Sequence, residues 1–135
     1  MILLTPEIRA RLLANGAAET EADHVPVVKF FDPCGAATWL VTELDSDGDT
    51  LFGLADLGFG FPEPGSFSLS EIEAVRLSFG LGIERDLYFV ARFPLSVYAE
   101  AARRAGGIVE DTDRLTAVSV ALKGTPDPEI PPVGG

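Results

Sequence analysis

Apolar and polar positions alternate along the first 123 residues in short stretches whose periods differ. Ile8, Leu12 and Leu13 share one helical face. Thr5 precedes them as an N-cap, Pro6 suits the first helical position and Glu7 suits the positive end of the helix dipole. Asn15-Gly16 reads as the stop of that helix. Residues 17–24 are polar and acidic and read as a loop. Three runs rich in β-branched and aromatic residues follow, at 25–31, 38–44 and 51–57. Pro26 sits near the start of the first, where a strand tolerates it. Asp32-Pro33-Cys34-Gly35 turns the chain after that run. Asp45-Ser46-Asp47-Gly48-Asp49 joins the second and third runs, which therefore read as a hairpin.

Residues 58–65 interleave Gly and Pro with Phe59 and Phe61, a composition that excludes a regular helix and predicts an irregular, well-packed loop. Ser68 with Glu71, or Ser70 with Glu73, has capping-box spacing. Ile72, Val75 and Leu77 then give a short helix an apolar side as far as Phe79, and Gly80 and Gly82 end it. Residues 86–92 read as a strand. Residues 94–105 read as a helix, because Leu95, Tyr98, Ala102 and Ala105 recur at helical spacing and Gly106-Gly107 stops them. At 115–122, Val118, Val120 and Leu122 alternate with smaller residues, which predicts a last strand. Residues 124–135 hold four prolines and read as a disordered tail. No internal repeat is present. Hairpin-linked strands with helices before and after predict an α+β fold: one domain over residues 1–123, with a mostly antiparallel sheet of about four to six strands packed with two to three helices.

Charge narrows the functional classes. The chain has 135 residues, with 10 Lys and Arg against 21 Asp and Glu, a formal net charge of −11. Phosphate backbones are bound by clustered cations, and Arg103-Arg104 is the nearest thing to a cluster, so direct nucleic-acid binding is not expected. An acidic surface favours solubility and suits a partner with a basic surface. A lone cysteine, Cys34, permits no intrachain disulfide and fits a reducing compartment. Met1-Ile2-Leu3-Leu4-Thr5-Pro6 has no basic n-region, and no stretch approaches ~18 apolar residues. These features predict a cytoplasmic protein with no membrane association.

Candidate chemistry is sparse. Asp45, Asp47 and Asp49 fall at the first three ligand positions of a calcium loop and Asp56 at the twelfth, but Thr50 stands where the turn needs Gly and a bidentate Glu is missing. A solvated hairpin turn accounts for the same residues. His24 and Cys34 are the single His and the single Cys, and no third group is evident to orient them as a nucleophilic pair. Gly58-Phe59-Gly60 lacks the remaining glycine and the lysine of phosphate loops, and Glu63 and Asp56 would repel phosphate. Glu43, Asp56, Glu63, Glu71, Glu84 and Asp86 border apolar strands and tight loops. Paired carboxylates perform acid–base chemistry or hold divalent cations. Arg85, between Glu84 and Asp86, is the counter-ion expected to tie such carboxylates into salt bridges.

A string of residues through the centre carries a resemblance. Thr38-Trp39-Leu40, Glu43, Phe52-Gly53-Leu54, Asp56-Leu57-Gly58, Gly60, Pro62-Glu63, Gly65, Ser68-Leu69, Glu71 and Glu84-Arg85-Asp86 follow the opening Leu3-Leu4-Thr5-Pro6. Together they resemble a bacterial family of unknown function, over about residues 2–110. Its members look like small stand-alone proteins, with related domains in large multidomain proteins of plasmids, conjugative elements and phages. The resemblance implies a mobile-element setting, in which small proteins counter host defence or assist plasmid maintenance, and it brings no catalytic residue, metal or cofactor. The positions it highlights, Trp39, Glu43, Asp56, Glu63, Glu71, Arg85 and Asp86, form the candidate binding set. The expected function is a non-enzymatic, acidic protein-interaction module of a counter-defence or DNA-mimic kind. The alternative is a carboxylate metal site or hydrolytic enzyme around the 56–65 loop, and it requires at least three of Glu43, Asp56, Glu63 and Asp86 to converge.

Overall fold

Consecutive residues of a strand point to opposite faces of its sheet. In the 38–44 run, Trp39, Leu40 and Val41 are all apolar, so both faces of the sheet must be covered. The fold meets that demand. In the computed structural model, which describes residues 1–19 and 22–124, the elements are α1 (Pro6–Gly16), β1 (Val28–Phe31), β2 (Thr38–Leu44), β3 (Thr50–Asp56), β4 (Glu63–Ser68), α2 (Leu69–Ala74), β5 (Glu84–Arg85), α3 (Leu95–Ala105) and α4 (Thr112–Gly124). The strands form one antiparallel sheet ordered β4-β3-β2-β1-β5. Trp39, Val41, Leu44, Phe30, Leu51 and Leu12 belong to the core on the side of α1 and α2. Leu40 and Leu54 belong to the core built with Leu95, Tyr98, Ala102 and Leu115 of α3 and α4 on the other side.

A β-bulge lets Trp39, Val41 and Leu44 share a face despite their uneven spacing. The register passes from Val41↔Gly53 to Glu43↔Phe52, leaving Thr42 as the extra residue. Thr42 is buried and satisfied: its Oγ1 donates to the Phe52 carbonyl (3.1 Å) and its carbonyl accepts from Asn15 Nδ2 (2.9 Å). Next to the bulge the strands come very close. A Cβ on Gly53 would lie 1.9 Å from the Leu40 carbonyl oxygen.

The α+β class, the antiparallel sheet, the β2–β3 hairpin and the 94–105 helix agree with the sequence pattern, and Gly106 ends α3 at φ 78°. Ser68 caps α2 by accepting from Glu71 N (3.2 Å), one of the two caps foreseen. Other expectations need correction. Residues 115–122 form the core of a helix, α4, and this brings the helices to four. Leu115 and Val118 are buried at i, i+3, whereas Val120 of the alternating set is exposed, and Asp111 accepts from Arg114 N (3.0 Å) at the helix start. Residues 86–92 are not a strand. Strand β5 ends at Arg85, one last main-chain bond runs from Asp86 N to the Lys29 carbonyl (3.0 Å), and the Asp86 carboxylate then accepts from Tyr88 N (2.9 Å), turning the chain away. β1 starts at Val28 rather than at 25.

The 58–65 loop ends earlier than expected, because Glu63 already pairs with Ala55 as the first residue of β4. α2 stops at Ala74, and Phe79 lies outside it at φ 63°, 96% exposed. Gly16 is the last residue of α1 and not a left-handed stop; its bareness admits the Leu44 carbonyl, which a Cβ would approach to 2.3 Å. The expected tail lies outside the described residues from position 125 onward, and Gly124 closes α4. No helix among the described residues is long and apolar enough to cross a membrane.

Candidate functional site

β4 is an edge strand, and the residues just before it expose large apolar side chains. The chain leaves β3 at Asp56, which is 8% exposed. One Asp56 oxygen accepts from Gly58 N (2.9 Å) and the other from Ile108 N (3.0 Å). The carboxylate thus clamps the base of the 57–62 loop to the turn after α3. Gly58 and Gly60 adopt φ of 87° and 86°, a region that other residues enter only under strain. The loop so fixed leaves Leu57, Phe59 and Phe61 in solvent, with Phe59 79% and Phe61 81% exposed. The expectation of a packed loop therefore fails for its aromatic side chains. Exposed aromatics on a held loop mark interaction surfaces more often than scattered apolar residues do.

Depressions lie on either side of β4. One, of about 630 Å³, is lined by Trp39, Phe61, Glu63, Phe67, Glu71 and Ile72 among others. The second, of about 710 Å³, lies toward α3 and α4 and is lined by Phe61, Glu63, Pro64, Ala99, Arg103 and Leu122 among others. Phe61, Glu63 and Pro64 belong to both and form the ridge between them. Among the described residues, the Glu63 and Glu71 carboxylates make no salt bridge. The second depression is bordered by Glu100, which binds Arg103 and Arg104 on the same helix. Those two guanidinium groups hold the Glu100 carboxyl down at about 2.

The structure brings together three of the seven candidate residues: Trp39, Glu63 and Glu71 meet in the first depression. Glu43 lies elsewhere, in a depression of about 710 Å³ shared with Asn15, His24 and Phe52. Asp56 is consumed as the loop clamp. Arg85 and Asp86 lie at the opposite edge of the sheet. Arg85 does not tie the carboxylates together: its guanidinium donates to the carbonyls of Ile2 (2.9 Å) and Leu3 (3.3 Å). Asp86 instead faces Lys29 (3.5 Å), which also binds Glu110 (2.7 Å). The convergence of Glu43, Asp56, Glu63 and Asp86 required by a carboxylate site is not found, and no group of three His, Cys, Asp or Glu side chains among the described residues is placed to hold a metal ion.

The aspartates of the calcium-like string are engaged in the hairpin. Asp47 accepts from Asp49 N, Thr50 N and Thr50 Oγ1, and Asp49 accepts from Ser68 Oγ and Ser70 N. These hydrogen bonds, led by Thr50 Oγ1 for Asp47 and Ser70 N for Asp49, hold both carboxyls below their ordinary range. His24 and Cys34 lie beyond opposite ends of β1, and no hydrogen bond joins them.

The residues missed from sequence are Leu57, Phe59, Phe61 and the β4 edge itself. Their signal was present: aromatics alternating with glycine in a stretch with no apolar period have no core face to join. No curated protein and no solved structure matches the chain. A family model described as "Protein of unknown function (DUF2958)" matches residues 3–109, from the segment before α1 to the turn after α3, and the chain belongs to that family.

Proposed function

We propose that the protein is a non-enzymatic interaction module, and that it binds another protein through the corner formed by the 57–62 loop, β4 and the two flanking depressions. The observation that carries this reading is the exposure of Phe59 and Phe61 on a loop clamped at its base by Asp56. Aromatics presented rigidly supply large contact area with little ordering entropy left to lose. Glu63 and Glu71, which make no salt bridge among the described residues, lie within a net charge of −11 and suit a partner with a basic surface. The central residue string supports a mobile-element setting in bacterial cytoplasm, where occupying a basic host factor would counter defence.

The test uses the full chain as bait in bacterial lysate, beside a Phe59→Ser/Phe61→Ser variant and a Tyr88→Ser variant. Tyr88 is as exposed but lies away from this corner. Loss of the two anchors is expected to lower retention of a specific partner by at least about tenfold, in line with truncated interface anchors. The Tyr88 variant keeps the partner, and high salt weakens it. A partner held equally by all three baits overturns the reading, as does the absence of any partner.

A further inference from the structure

The free edge of β4 carries more than a contact surface. Leu69 N donates to the Asp49 carbonyl (2.9 Å), which continues the ladder between β3 and β4. In antiparallel pairing, residues two apart turn their main-chain groups the same way. Phe67, Gly65 and Glu63 therefore address β3, while Pro64, Ser66 and Ser68 turn theirs outward. Pro64 independently agrees with this phase, because a residue without an N–H fits the outward position. The outward groups are the Pro64 carbonyl, the Ser66 N–H and carbonyl, and the Ser68 N–H. Ser66 is exposed, and among the described residues β4 pairs with no strand but β3.

A strand laid along this edge would lie ~4.8 Å beyond β4, with its side chains alternating between the faces. On one face they meet the depression with Trp39, Phe67 and Ile72; on the other they meet the depression with Phe61 and Leu122 beside Pro64, and at Ser66 the depression with Glu43, Asp45 and Phe52. Apolar side chains are therefore accepted on the Trp39 side and beside Pro64, while past Ser66 the other side offers the Glu43 and Asp45 carboxylates to a Lys or Arg. The ends differ. Glu63 stands at the start of the edge and Glu71 just past its finish, each without a salt bridge among the described residues. A second copy of this chain would bring its own −11 and its own Glu63 to the same edge, which disfavours self-pairing.

We infer that the protein takes up an extended partner segment by strand addition at β4, the segment being a short apolar strand flanked by Lys or Arg. This rests on the interaction reading above and adds the mode of recognition, in which main-chain pairing gives affinity and the depressions and end carboxylates give selectivity.

The probe is a synthetic seven-residue peptide of three valines with two lysines at each end. It is compared with the same peptide N-methylated at the middle valine and with a version flanked by glutamates. Binding to the full chain is followed by amide chemical shifts and hydrogen exchange. The lysine-flanked peptide is expected to bind and to slow exchange at Ser66 N–H. N-methylation, which keeps every side chain but removes one main-chain donor, is expected to weaken binding about tenfold. The glutamate-flanked peptide is expected not to bind. Ser66→Pro removes the outward N–H and should weaken binding similarly, whereas Ser66→Ala should not. A thermal melt of Ser66→Pro checks its fold, and the N-methylated peptide tests the reciprocal bond, from peptide N–H to edge carbonyl, on the unaltered protein.

No binding by the lysine-flanked peptide overturns the inference, as does equal binding of its N-methylated form. If partner capture depends on Phe59 and Phe61 while Ser66→Pro and N-methylation have no effect, the interaction corner stands and strand addition falls. If the valine peptide pairs at Ser66 but the aromatic variant captures its partner unchanged, the opposite holds.

Discussion

Gly53 and Gly65 face one another across β3 and β4, yet they serve opposite ends. Gly53 is buried where a Cβ would strike the Leu40 carbonyl, and the struck atom is backbone that cannot rotate away. Gly65 has nothing within 4 Å of its Cβ position and does not adopt positive φ. Gly53→Ala should therefore destabilise by about 1–3 kcal/mol, the range for forcing atoms into a packed interior. Gly65→Ala should be neutral or stabilising by up to about 1 kcal/mol, through the smaller entropy of the unfolded chain. Urea denaturation of both variants checks the pair. Equal losses would mean that the close approach at the bulge is not what demands glycine. Asp56 shows a related division of labour. It stood out in the sequence as a possible ligand, but its two oxygens are occupied by Gly58 N and Ile108 N. In the proposed binding its contribution is indirect, by holding the loop that carries Phe59 and Phe61.

At the scale of elements, helices are held at their ends by side chains from near and far. The α3 N-terminus receives the Asp23 carboxylate, which accepts from Ser96 N (3.0 Å) and Ser96 Oγ, although Asp23 lies 73 positions earlier. Further along α3, Glu100 accepts from Arg103 Nε (2.9 Å) and Arg104 Nε (3.0 Å). Its carboxyl is lowered from 4.5 to about 2, chiefly by the hydrogen bonds from Arg103. A carboxylate whose folded value is depressed stabilises the fold above its ordinary value and loses that effect as pH falls toward the folded one. Glu100→Gln should therefore flatten the decline of stability between pH 4.5 and about 2, read from thermal melts across that window. An unchanged slope would show that the pair contributes nothing, as exposed pairs often do.

The same elements show what the sequence could reveal. α3 was legible because its apolar period, Pro94 and Gly106 agree locally. α4 was misread because Val118, Val120 and Leu122 imitate a strand, and only tertiary packing picks out Leu115 and Val118. β4 was missed because Glu-Pro-Gly-Ser has no strand propensity, and its pairing is main-chain bonding to β3 at an edge that tolerates proline. The candidate site was legible as a neighbourhood around the Gly/Pro-rich loop, through Trp39, Glu63 and Glu71. The wrong emphasis fell on carboxylate convergence, since sequence proximity does not place Asp56 and Asp86 on one face.

For the molecule as a whole, the apolar corner and the net charge act against each other. Leu57, Phe59 and Phe61 offer a contiguous apolar surface of a kind that drives association when nothing opposes it. A net charge of −11 supplies the opposition at neutral pH through repulsion between copies. That repulsion fades as carboxylates protonate, and it vanishes near the pI of about 4.3. The protein should therefore sediment as one species at pH 7.5 in low salt and gain mass reversibly as the pH approaches 4.5. Phe59→Ser/Phe61→Ser removes most of the apolar surface without changing the charge, so it should move the onset of association to lower pH or abolish it. Raising salt at pH 7.5 screens the repulsion and should promote association in the unaltered protein more than in the variant. Sedimentation velocity across this pH and salt grid separates the two forces. If the variant associates at the same pH as the unaltered protein, loss of charge alone drives the process and the corner is not the adhesive surface. If only the unaltered protein associates, the surface that acidity guards at neutral pH is the one an oppositely charged partner is placed to cover.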